Sequence, residues 1–234
     1  MSVPPHQRNA GTPGAVSDQV AKQLRGFGLL GLLSLAVILS GNLIVAPLSA
    51  LLVLVWARVS QTPWRSLGFT PPRSWIRTFA IGIPFGIALK LGMKAVVMPL
   101  FGAPAVNQHY HYLAGNAPAA LGMLFTAIVS AGVGEEILFR GFLFERLRTL
   151  LGASGMATVV TVLLTSGLFA VAHFHDQRVP GVEQAAVAGL VYGTVYAVEG
   201  SLWLPMVVHA AFDITAVALI YWQWEAAVAH LIFR

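Results

Sequence analysis

Apolar residues fall into seven blocks along the chain, at about 26–40, 43–57, 75–100, 118–146, 156–174, 182–199 and 203–222. A helix crossing a bilayer needs about 20 residues, with roughly 17–25 tolerated. The pattern predicts an all-α, polytopic membrane helix bundle of seven transmembrane helices, or eight if 222–234 re-enters. The first two blocks are short and meet at Gly41-Asn42, so they form either one long helix or a tight hairpin. Charge decides between these. Lys22 and Arg25 precede the first block, and Arg58, Arg65, Arg73 and Arg77 follow the second. Both flanks belong in the cytoplasm, which requires an even number of crossings between them. The hairpin is therefore expected.

The same rule places loop 101–117, which has no Lys or Arg, outside, and Arg146 and Arg148 back in the cytoplasm. The loop around 175–181 is then external again. All six tryptophans (Trp56, Trp64, Trp75, Trp203, Trp222 and Trp224) fall at or just beyond expected helix ends, where aromatic belts form. Residues 1–22 are rich in Pro, Gly and polar groups and read as a flexible cytoplasmic tail, leaving 23–234 as a single transmembrane domain. The tail lacks the layout of a cleavable signal peptide, so the first apolar block is expected to be retained as a helix. With no targeting signal, the expected location is a prokaryotic plasma membrane with the N terminus in the cytoplasm.

Composition agrees with a membrane setting. The 234 residues are 57% apolar and 10% charged, with a mean hydropathy of +0.75. Soluble domains carry roughly 25% charged residues, so a cytosolic globular protein and a disordered chain are both excluded. The net charge of +5 is spread singly between apolar blocks, which argues against nucleic acid as a partner. With no cysteine, disulfides, thiolate nucleophiles and Cys-ligated zinc are ruled out. Any metal would have to be held by His, Asp and Glu.

Ionisable residues inside the blocks carry the chemistry, because a charge at the bilayer centre costs about 2.5–3.5 kcal/mol on insertion scales. Lys90 and Lys94 share a helix face and read as snorkelling towards headgroups. His109, His111 and His175 lie in loops and read as solvated. The stretch GVGEEILFRGF is different. Two adjacent carboxylates repel each other and both resist desolvation. Arg140 lies one turn after Glu136 and can neutralise it, leaving Glu135 pointing elsewhere round the helix. A second carboxylate beside a satisfied pair suits general-base catalysis. Phe169 and His173 share a face of another helix, and His209 and Asp213 share one of a third. Two acids, an arginine and two histidines on three helices predict a buried polar site.

The motifs Glu135-Glu136-Ile137-Leu138-Phe139-Arg140, Phe169-Ala170-Val171-Ala172-His173 and His209-Ala210-Ala211-Phe212-Asp213, in this order, resemble the E-E-x-x-x-R, F-x-x-x-H and H-x-x-x-N/D helices of the CAAX protease and bacteriocin-processing family. The family is also called the type II CAAX prenyl endopeptidase or ABI family. The resemblance covers about 130–215 and implies an intramembrane glutamate-type peptidase of about eight helices, with a cavity open to the cytosol. On that basis Glu135 would activate water with help from His173, and Phe169 would shape the substrate site. Glu136 and Arg140 would hold the site together, and His209 and Asp213 would stabilise the oxyanion. An ionised aspartate only accepts hydrogen bonds, so Asp213 is expected to orient and charge His209, making the imidazolium the donor.

The substrate implied is a membrane-anchored protein or peptide, cut near a CAAX-like C terminus, possibly prenylated, or at a leader peptide, with no cofactor. The chemical alternative is a zinc protease using Glu135, His173, His209 and Asp213; against it, no His-x-x-x-His pair of zincin type is present. A non-catalytic self-immunity or membrane-binding protein is a second alternative. A transporter is a third, made less attractive by the absence of an inverted repeat.

Overall fold

The structure is a computed structural model that describes residues 13–44 and 46–233. Every regular element among the described residues is helical: α1 (Pro13–Arg25), α2 (Leu29–Ile44), α3 (Ala46–Val59), α4 (Trp75–Leu100), α5 (Ala117–Leu151), α6 (Gly155–Ala172), α7 (Phe174–Glu199), α8 (Trp203–Tyr221) and α9 (Glu225–Ala229). Of the stretch expected as a flexible tail, residues 13–22 are helical and 1–12 lie outside the described residues. The helices start where polar caps precede apolar runs. Ser74, Asn116 and Ser154 each accept a hydrogen bond from the backbone N–H three residues on, and Pro118 sits in the first turn of α5.

The chain does fold back between the first two blocks. Ser49 Oγ donates to the Ile38 carbonyl, and Gly41 packs against Ser49 and Leu52. In one continuous helix Ile38 and Ser49 would be about 16 Å apart. Four helices are long and apolar enough to cross a membrane (α4, α5, α6 and α8), or five if the bent pair Ser17–Arg25 and Leu29–Asn42 is one span. The seven or eight blocks exceed that number for two reasons. At 16 and 14 residues, α2 and α3 reach only about 24 and 21 Å, short of a hydrocarbon core of about 30 Å. The expected loop at 175–181 is instead the first part of α7, which carries Asp176, Arg178 and Glu183 and kinks at Arg178 (φ 56°), two residues before Pro180.

Glycines bring α4 and α8 together side by side and parallel. A Cβ on Gly82 would lie 2.6 Å from Val207, and one on Gly86 would lie 2.3 Å from the Val208 carbonyl. Trp75 meets Trp203 edge-on at 5.0 Å where both helices begin. The arginines gather at this end of the bundle. Arg146 donates to the Gly26 carbonyl, Ser201 to the Thr70 carbonyl, and the Leu202 amide to Gly68. Loop 101–116, the α6–α7 junction and α9 lie at the opposite end, where the Gly115 amide donates to Tyr221 and Trp222 stacks on Trp224. One tryptophan departs from the expected belt: Trp56 is buried in the core, edge-on to Phe142.

Neither membrane lysine snorkels. Lys90 Nζ donates to Gln184 Oε1 at 2.8 Å, and Lys94 pairs with Glu225 Oε1 at 3.0 Å. Both are buried because α7 and α9 close over this face of α4, which the sequence pattern of α4 alone does not reveal. His109, His111 and His175 are exposed, as expected.

Candidate active site

Helix α5 presents the paired carboxylates from an unusual backbone. Residues Ala127–Glu135 and Ile137–Phe142 are wound as π-helix, with hydrogen bonds running to the fifth residue rather than the fourth. Such segments are rare and recur at functional sites. A π-wound stretch turns successive side chains differently from an α-helix, so the angle expected between Glu135 and Glu136 does not hold. Both point at one imidazole. Glu136 Oε1 accepts from His209 Nδ1 at 2.8 Å, while Glu135 Oε2 lies 3.8 Å from Nε2 of the same ring.

Glu136 and Arg140 form the ion pair that their spacing suggests, at 2.9 Å and with both side chains fully buried. The guanidinium fork is divided rather than laid on one carboxylate: Nη1 donates to Glu136, and Nη2 donates to the Gly189 carbonyl at 3.1 Å. Its faces are lined by Phe169 at 4.6 Å and Tyr192 at 5.3 Å. A planar, weakly hydrated cation suits such a slot.

Asp213 Oδ2 lies 3.5 Å from His209 Nε2, one helical turn further along α8. Tyr192 stacks on His209 at 4.5 Å and fixes the plane of the ring. His173 ends α6, its ring 4.6 Å from Phe169. Its Nδ1 donates to the Phe169 carbonyl at 2.8 Å, so in the neutral ring Nε2 carries the lone pair. No hydrogen bond among the described residues joins His173 to Glu135. The structure thus brings Glu135, Glu136, Arg140, Phe169, His209 and Asp213 into one connected cluster, with His173 at its edge.

The cluster is sealed on one side and open on the other. On α5 exposure falls from Glu135, with 16% of its side chain accessible, to none at Glu136 and Arg140. On α8 it rises from His209 (4%) to Asp213 (29%), and on α6 from Phe169 to His173. All three gradients point to the arginine-poor end, where loop 101–116 lies. In that loop Tyr110 has its phenol pushed up to about 12, first by burial and then by the charges of Asp213, Asp176, Tyr112 and Glu135. It stands as a neutral hydroxyl over the mouth.

Sequence reasoning missed Tyr192, Gly189 and Tyr110. Only a tyrosine and a glycine inside an apolar helix hinted at the first two, and nothing in the sequence pointed to the third. A zinc site fits poorly. Among the described residues no group of three or more His, Asp or Glu is placed to hold a metal ion, and His209 Nδ1 is committed to Glu136.

No curated protein and no solved structure matches the chain. Residues 117–215, which run from the start of α5 into α8 and include the whole cluster, match the family model described as type II CAAX prenyl endopeptidase Rce1-like. This part of the chain belongs to the Rce1-like type II CAAX prenyl endopeptidase family.

Proposed function

We propose that the protein is an intramembrane endopeptidase that hydrolyses a peptide bond of a membrane-associated protein or peptide. One observation supports this most strongly. Glu136, Arg140 and His209 bind one another, whereas Glu135 Oε2 is buried beside them and accepts no hydrogen bond from the protein. A carboxylate held at the mouth of a cluster, next to an already tied ion pair, is positioned to accept a proton from water.

In this mechanism Glu135 removes a proton from water as the water oxygen attacks the scissile carbonyl carbon. The carbonyl π electrons move onto oxygen, which His209 Nε2, when protonated, stabilises by donating a hydrogen bond. Asp213 faces the same nitrogen and orients the ring. As the tetrahedral intermediate collapses, C=O re-forms, the C–N bond breaks, and the proton held by Glu135 passes to the departing amine. His173, with Nε2 free, assists proton movement at the mouth. Glu136 and Arg140 act as architecture. Seven crossings, the cytoplasmic N terminus and the plasma-membrane location belong to this proposal. Taken from charge alone, that orientation turns the open end of the cluster away from the cytosol, the reverse of the opening that the family resemblance implies.

Comparative peptidomics of membranes carrying the wild type or Glu135→Gln tests the activity. Cleavage products that vanish in the variant and persist after strong chelation support a metal-independent peptidase. Loss on chelation with recovery on adding zinc refutes that mechanism. Protection phenotypes that survive Glu135→Gln with no change in the peptide pool support a binding protein instead.

A further inference from the structure

Gly82, Gly86, Lys90 and Lys94 lie four residues apart along α4 and form one face. The two glycines let that face touch α8 at Val207, Val208 and Ala211. One turn on, where α8 carries Phe212 and then Asp213, the face changes from glycine to ammonium. Lys90 Nζ sits 4.8 Å from the centre of the Phe212 ring. Phe212 in turn packs edge-on to Tyr192, the residue stacked on His209. Lys90 therefore stands one layer of side chains from the cluster.

The two lysines are treated differently. Lys94 is neutralised by the Glu225 carboxylate. Lys90 is 8% exposed, and its one hydrogen-bond partner is the neutral amide of Gln184; no carboxylate among the described residues forms an ion pair with it. A buried ammonium uses three N–H donors, and one amide oxygen and one ring face leave its charge uncompensated. Removing a charge from water without a counter-charge costs several kcal/mol, so such groups inside a membrane protein mark functional sites by default. The compensating ligand must be an anion, and it must be brought close to the reacting centre.

We infer that Lys90 receives the free C-terminal carboxylate of the substrate peptide and so determines specificity for cleavage near a chain end. This rests on the peptidase activity proposed above. A peptide whose scissile carbonyl lies between Glu135 and His209 would run its last residues past Phe212, and a carboxylate there completes the ion pair that Lys90 lacks. Lys90 is a positioning residue, not a member of the hydrolytic cluster.

The test uses purified protein in detergent and a synthetic S-farnesylated peptide ending in a CAAX sequence, made as the free acid and as the C-terminal amide. Wild type is expected to favour the acid by about 10–100-fold in kcat/KM, mostly through KM, the worth of one charge-assisted hydrogen bond. Lys90→Met, which fits an apolar bundle, should bring the acid-to-amide ratio close to one; Lys90→Arg should preserve the preference. Binding of both labelled peptides is measured in parallel in the Glu135→Gln background. A wild-type ratio near one, or a preference that survives Lys90→Met, overturns the role of Lys90 while leaving hydrolysis intact. Lys90-dependent preference in binding without any cleavage by wild type supports the role of Lys90 and refutes the peptidase activity.

Discussion

Replacing each of the two neighbouring glutamates with glutamine should produce opposite kinds of failure. Glu136 has no accessible surface and accepts from Arg140 at 2.9 Å and from His209 at 2.8 Å. Glu136→Gln removes the negative charge from between them and leaves the guanidinium with the Gly189 carbonyl and two aromatic faces. Breaking a buried pair in this way costs about 3–5 kcal/mol. For a chain of this size that is a fall in Tm of about 6–20 °C. Glu135 holds no such pair. Its carboxylate lies 3.8 Å from His209 Nε2 and is 16% exposed, so Glu135→Gln should change stability by less than about 1 kcal/mol. Its rate should fall by about 10²–10⁴-fold, the usual worth of a general base. Both variants are purified in detergent and scored for cleavage of a membrane peptide and for thermal unfolding. If Glu135→Gln keeps substantial turnover while Glu136→Gln abolishes it with an unchanged melt, the assignment of base and clamp is reversed.

Arg140→Lys should lose most activity and melt lower, because a single ammonium cannot serve both Glu136 and the Gly189 carbonyl while lying flat between Phe169 and Tyr192; wild-type rate and melt would show that the fork is not needed. Gly86→Ala places a methyl 2.3 Å from the Val208 carbonyl, so it should cost about 1–3 kcal/mol in thermal unfolding and disturb His209 one residue on. Asp213→Asn should retain activity within about tenfold, since a neutral amide can still orient His209 and can itself donate to an oxyanion; a loss beyond about 10³-fold in kcat would show that the negative charge is required. Reporter fusions should place residues 60–72 and 147–155 in the cytoplasm and 103–115 outside; an external reporter at residue 68 would overturn the orientation read from charge.

Much of this protein is legible in one dimension. A chain with few charges and long apolar blocks must satisfy its backbone internally, and helices do so locally, so helix positions and the fold class follow from composition and block length. The pairing of Glu136 with Arg140 is also local, because four residues bring two side chains to one helix face. The hairpin of α2 and α3 followed from the sign of the flanking charges.

What required the tertiary structure was every relation between helices. That both glutamates meet one imidazole depends on the π winding of α5 and on where α8 lies, and neither is written in the local pattern. Trp56 and the two lysines were read as interfacial because a single helix shows only which faces it has, not which neighbour covers them. Lys94 is buried by Glu225, 131 residues away, and Lys90 by Gln184, 94 residues away. The same holds for Tyr192, whose stacking on His209 joins α7 to α8. Apolar periodicity encodes burial against something; only packing of the whole bundle, through glycines small enough to let backbones touch, decides against what.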